Sequence, residues 1–141
     1  MKMYIYLKNI RKIKINIIES LYQYDFYQNE IKTLNENILL NVSILKNIIK
    51  NIGIIDFIIK KNLYNYELKR LNKVDKAIIR LATMELLAKK KSYKKIINEA
   101  IELTKEYSSL EDKKQCKFNN KLLHLIYEYI NKKNLKKLNS V

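Results

Sequence analysis

The stretch "LNKVDKAIIRLATMELL", residues 71–87, decides the fold. Wound at about 100° per residue, it sets Leu71, Val74, Ile78, Leu81 and Ala82 on one side, the pattern of a helix with an apolar stripe. Asn72 stands where an N-cap belongs. Asp75 falls in the first turn, where a carboxylate meets the positive end of the helix dipole. Glu85 breaks the pattern, because it lies within the same stripe. An ionised carboxylate on an apolar face is costly unless it is paired or the face is open to a partner.

Outward from this helix, the chain continues in the same style. A first helix is predicted over about residues 7–27, with Ile10, Ile13, Ile17, Leu21 and Tyr24 inward and Lys8, Arg11, Lys12, Glu19 and Tyr22 outward. "QNEIKTLNEN" (28–37) reads as a polar connection. A helical region follows to about residue 62, with Gly53 marking a kink or break. After residue 88, Ser92 caps a helix whose inner face is Ile97, Ala100, Ile101, Thr104 and Tyr107. "SSLEDKKQC" (108–116) reads as a loop. A last helix from about Lys117 turns Phe118, Leu122, Leu125, Ile126 and Tyr129 inward, before a basic tail over 132–141. The fold class is all-α.

Composition agrees. The chain has 141 residues, no proline and one glycine, so tight turns are scarce and long helices with short polar connections are the cheapest architecture. A hydrophobic content of 48% excludes a wholly disordered chain despite 30% charged residues. The net charge of +15 ordinarily points to an anionic partner. Most of it is lysine, however, in a chain rich in Ile, Asn and Tyr, all residues with A- and T-rich codons. Only clustering of the charge therefore carries weight. Cys116 is the sole cysteine, which excludes a disulfide framework. Lysine and asparagine interrupt every apolar run, and the start is too short in apolar residues for a secretory signal, so a cytoplasmic, non-membrane protein is expected.

Three blocks carry a family resemblance: "RLNKVDKAIIRLATMELL", then "INEAIELTKEY", then "KFNNKLL", in that order over about residues 70–123. They closely resemble the C-terminal half of the NusB transcription antitermination factors. Upstream, "IIESLYQYDF" and "NIGIIDFII" match the family more loosely. The resemblance implies two packed three-helix bundles, here about residues 5–66 and 70–131. It also implies pairing with the small-subunit ribosomal protein NusE, binding of boxA RNA in nascent transcripts, and membership of the RNA polymerase antitermination complex. The chain departs from the family pattern where Asn119-Asn120-Lys121 replaces Val-Asn-Gly, where Ser92 replaces a proline, and where the arginine-rich arm is reduced to Arg11, Lys12 and Lys14.

Read from the residues alone, Lys8, Arg11 and Tyr22 place cations and an aromatic ring along one strip of the first helix. Single-stranded RNA asks for that combination, since cations meet phosphates and unstacked bases meet rings. A solvated helix face is the plainer alternative. The resemblance extends the RNA set to Lys8, Arg11, Lys12, Lys14, Tyr22, Phe118 and Asn120, and an RNA binder should expose Lys8, Arg11, Lys12 and Lys14 on one surface with Tyr22. Phe118 by itself reads as core.

Glu85 has two readings. Either a neighbouring cation satisfies it, or it faces a partner's arginine across an interface. The resemblance favours the second and implies Glu85 as a NusE contact, and docking of that basic protein on the neighbouring acidic strip would add Glu99 and Glu102. Glu99, Glu102 and Glu106 form an acidic strip whose default partners are Lys95 and Lys105 on the same helix. No histidine or cysteine stands ready to complete a metal site there, and no cofactor motif or nucleophile–base pair occurs. The expectation is a non-catalytic RNA-binding adaptor. Its alternatives are the helical domain of a ribosomal RNA cytosine methyltransferase cut before its catalytic part, or a structural bundle whose RNA surface has eroded.

Overall fold

The structure is a computed structural model that describes residues 2–27, 43–64, 67–107 and 113–135, without the side chains of residues 2–10, 26–27, 43–44 and 70. The predicted connection 28–37, the side chains of Lys8 and Ile10, and most of the basic tail lie outside the described residues.

Among the described residues six α-helices run in order: α1 Lys2–Tyr27, α2 Ser43–Lys50, α3 Ile52–Asn62, α4 Lys73–Ala88, α5 Tyr93–Tyr107 and α6 Lys113–Lys132. A 3-10 turn at Leu68–Arg70 leads into α4. No described segment is a strand, and the all-α expectation holds. The opening stretch is the hub of the fold, because α4 packs against each of the other five helices. That explains why its burial runs around the whole circumference: Ile78, Ile79, Leu81, Ala82, Met84, Leu86 and Leu87 are all buried. One continuous apolar core joins Ile17 and Leu21 of α1, Leu45 and Ile48 of α2, and Ile55, Ile58 and Ile59 of α3 to α4, α5 and α6.

The helix ends follow local chemistry. Asn72 caps α4, its side-chain oxygen accepting from the Val74 amide at 2.8 Å. Ser92 does the same for α5, accepting from the Lys95 amide at 3.3 Å. At the far end of α4, Lys89 adopts a left-handed conformation (φ 56°), a position that favours glycine. The break expected at Gly53 lies instead at Asn51. There the side-chain amide donates to the Asn47 carbonyl at 2.7 Å and competes with the backbone amide for the same acceptor. Gly53 is exposed, has nothing within 4 Å of where a Cβ would sit, and has no left-handed backbone.

Several faces differ from those the periodicity suggested. On α1 the buried set is Lys14, Ile17, Ile18, Leu21 and Asp25, while Ile13 is 45% exposed. At 100° per residue the buried face is turned by roughly 50° from the apolar one. The reason is that two charged residues, Lys14 and Asp25, find partners inside the fold. α6 begins four residues earlier than predicted and buries Asn119, Leu122, Leu123, Ile126 and Ile130, leaving Phe118, Leu125 and Tyr129 half-buried. On α5, Ile96 and Leu103 join the buried face, and Tyr107 is exposed.

Candidate nucleic-acid interface

Arg11, Lys12 and Tyr22 are exposed on one flank of α1, and Glu19 lies among them. Below Tyr22 lies a hollow of about 250 Å³ lined by Ile15, Ile18, Glu19, Tyr22, Val74 and Tyr107. Two half-exposed tyrosines thus border an apolar floor where α1, α4 and the end of α5 meet. Periodicity had turned Tyr107 inward. Its position in the last turn of α5 carries it past the core and out to the rim.

Lys14 does not share this exposed strip. Its side chain is 10% exposed and lies between Glu85 of α4, at 3.2 Å, and Glu99 of α5, with which it forms a short ion pair. The expectation of one exposed surface holding Arg11, Lys12, Lys14 and Tyr22 therefore fails at Lys14, because two carboxylates from other helices draw it inward. Burial alone would push the Lys14 ammonium down, yet the charges and hydrogen bonds of Glu85 and Glu99 outweigh it and hold its pKa above the ordinary lysine value. For Glu99, burial pushes the carboxyl up, and the hydrogen bond and charge of Lys14, helped by Lys91 and Lys95, more than reverse it.

This answers what Glu85 faces in the free chain. Its side chain is 17% exposed and lies against Lys14 and Lys91, the latter at 3.3 Å. The rest of the acidic strip pairs across helices too. Arg11 of α1 meets Glu102 at 3.9 Å and forms a short pair with Glu106, while Lys91 reaches Glu99 at 3.7 Å. Along α5 the charge of Lys95 still acts on Glu99, while the close ion pairs of the strip come from α1 and from the turn before α5. The spacing of the charges matches: the long cationic side chains at positions 11 and 14 reach across to acids at 99, 102 and 106. Among the described residues no group of three His, Cys, Asp or Glu side chains could hold a metal ion.

Two polar networks that the sequence did not announce brace the site from behind. Asp25, 4% exposed, accepts from Lys73 at 2.9 Å, Lys76 at 3.0 Å and Arg80 at 3.3 Å. Arg80 also grips both oxygens of Asp56, at 2.9 and 2.8 Å, tying α1 through α4 to α3. Burial would raise the Asp25 carboxyl, but its hydrogen bonds from Lys73 and Lys76 and the charges of Lys76 and Arg80 hold it below the usual carboxylate range. The second network centres on Asn119, fully buried, whose amide donates to Asp75 at 3.1 Å and to Thr104 at 3.2 Å. Its neighbours in the same segment behave differently: Phe118 is half-buried against the core, and Asn120 is exposed.

The helical order, the central α4 and the exposed strip on α1 can now be set beside known proteins. The sequence profile of the NusB family matches residues 8–128. The chain belongs to the NusB family. It is similar to the transcription antitermination protein NusB of Sulfurovum sp. (strain NBC37-1), 31% identical over 121 residues that make up 78% of this chain and 91% of that one. It is also similar to NusB of Clostridium kluyveri, 46% identical over 69 residues covering 48% of this chain and 44% of that protein. Against such clostridial relatives the chain spans about half of their length. Among solved structures, T. maritima NusB superposes with a TM-score of 0.70 at 27% identity, covering 89% of this chain and 96% of that one. The NusB-like helical fold expected from the three sequence blocks is therefore the fold of this chain. No described helix is long and apolar enough to cross a membrane.

Proposed function

We propose that this NusB-family chain is a non-catalytic RNA-binding adaptor of transcription antitermination, which pairs with the ribosomal protein NusE and binds boxA RNA of nascent ribosomal RNA transcripts. Family membership over residues 8–128 carries the reading. The exposed Lys12 and Tyr22 support it, since they offer phosphates a cation and bases an aromatic surface along one helix, with Arg11 beside them paired to Glu102 and Glu106. Asn120, exposed on α6, extends the proposed RNA set, and Lys8 belongs to it by its position on α1.

For NusE, the proposed contacts are Glu85, Glu99 and Glu102. Their conditions differ. Glu102, with a side chain 65% exposed, is open to a partner's cation, whereas Glu85 and Glu99 already hold Lys14 and Lys91. A basic partner would join or replace cations that are already in place. The withdrawal of Lys14 from the surface favours a structural bundle with an eroded RNA surface in one respect only: fewer cations on α1 are free for RNA than the sequence offered.

The test is binding of a short boxA-like RNA, with and without NusE, across a salt series. The expected result is cooperative tightening by NusE together with a steep loss of affinity as salt rises, because phosphate contacts release counterions. If NusE neither binds nor changes RNA affinity, the adaptor reading fails.

A further inference from the structure

Arg11 and Lys14 stand one helical turn apart on α1 and face the same acidic strip, yet their conditions are opposite. Lys14 is enclosed between Glu85 and Glu99, 10% exposed. The Arg11 side chain is 43% exposed, and its partners Glu102 and Glu106 are 65% and 45% exposed. Ion pairs this open contribute little to stability, so the guanidinium can turn away at little cost. Arg11 is a movable cation beside a fixed one.

While it stays, it is of little use to a phosphate. Two carboxylates against one guanidinium offset its charge, so an approaching anion meets competition for the same N–H donors. Among the described residues Lys12, exposed at the next position, forms an ion pair with neither Glu102 nor Glu106. Neutralising Glu102 and Glu106 from outside would remove the competition and free the fork of donors.

We propose that Glu102 and Glu106 hold Arg11 back from RNA in the free protein, and that a lysine- or arginine-rich protein seated on these carboxylates releases it to a phosphate. This rests on the RNA-adaptor reading and supplies its coupling. Partner and RNA then bind cooperatively without a change of fold, and each tightens the other by the same factor. The acidic strip is the surface the partner fits, and the guanidinium is the part that changes allegiance.

A double-mutant cycle on the full chain tests this, with a labelled short single-stranded RNA at about 0.1 M salt, where phosphate contacts remain measurable. E102Q/E106Q is expected to bind RNA about three- to tenfold more tightly than wild type. R11A alone should cost less than about twofold, but should abolish the gain when combined with E102Q/E106Q. An equal gain with and without Arg11 would mean a general effect of removing negative charge and would overturn the exchange. RNA binding with no coupling between Arg11 and the two glutamates overturns the exchange and leaves the RNA reading standing. Absence of RNA binding by wild type and E102Q/E106Q alike overturns both.

Discussion

Replacing Lys14 by methionine keeps the apolar stem as far as Cε and removes the buried cation that Glu85 and Glu99 share. Lys91 remains, at 3.3 Å from Glu85 and 3.7 Å from Glu99, but it is itself 35% exposed and reaches only the outer side. Breaking a fully buried ion pair costs ~3–5 kcal/mol, and breaking an exposed one ~0–1 kcal/mol. With side chains 10%, 17% and 28% exposed, this cluster lies between those limits, and a loss of about 2 kcal/mol is expected. In a chain of this size that lowers the thermal midpoint by roughly 4–8 °C. Urea unfolding at neutral pH should show a lower midpoint at unchanged slope. Adding E85Q and E99Q to K14M should recover more than half of the loss, because no buried charge is then left without its partner.

The pH dependence follows from the signs. Glu99 has a folded pKa below its ordinary value, so its contribution is complete above the ordinary carboxylate range and is lost as pH falls through the lowered pKa. Lys14 is raised, so its contribution is complete below the ordinary lysine pKa and is lost as pH rises through the raised one. The gap between wild type and K14M is therefore widest around neutrality and closes in acid. A K14M variant within ~0.5 kcal/mol of wild type at neutral pH would refute the reasoning, since the contact would then be an ordinary surface pair.

Other perturbations probe the remaining features. Asp25→Asn leaves Lys76 and Arg80, 9% and 3% exposed, short of a carboxylate, and should cost ~3 kcal/mol in urea unfolding. Wild-type stability should also fall in acid as the lowered pKa of Asp25 is crossed. Tyr22→Ala removes an exposed ring and should weaken single-stranded RNA by ~1–3 kcal/mol, about 5- to 150-fold in a binding titration, with little change in the thermal midpoint. Lys89→Gly relieves a left-handed backbone at the end of α4 and should stabilise by ~0.5–1 kcal/mol, although an exposed bond from its ammonium to the Leu135 carbonyl is lost.

How much of this was legible depends on the residue type. Apolar periodicity marked α4 because its stripe is long and Asn72 announces its start. It also marked the order of the other helices. It misplaced the inner face of α1 because a helical wheel scores Lys14 and Asp25 as outward. Whether a charge can be buried depends on partners 71 and 85 residues away for Lys14, and 48 to 55 residues away for Asp25. No local pattern carries that information. The same limit hid Lys76 and Arg80, which sit inside the opening stretch with no local sign of the carboxylates they meet. Arg11, Lys12 and Tyr22 were legible as a strip, but which cation is free and which is held was not, because their opponents lie on α5.

The central place of α4 has a consequence for how the chain is made. α1 emerges first from the ribosome carrying Ile17, Ile18 and Leu21, which are buried in the finished fold and pack in a core that runs through α4. Until residues 73–88 are synthesised, the described helices before them have only their direct contacts, α1 with α2 and α2 with α3, and lack the helix on which all three pack. The N-terminal half must therefore wait, with apolar faces and the carboxylate of Asp25 open to water and to other nascent chains. Assembly is then abrupt. Arrival of one 16-residue segment supplies partners to the apolar faces and to Asp25 together.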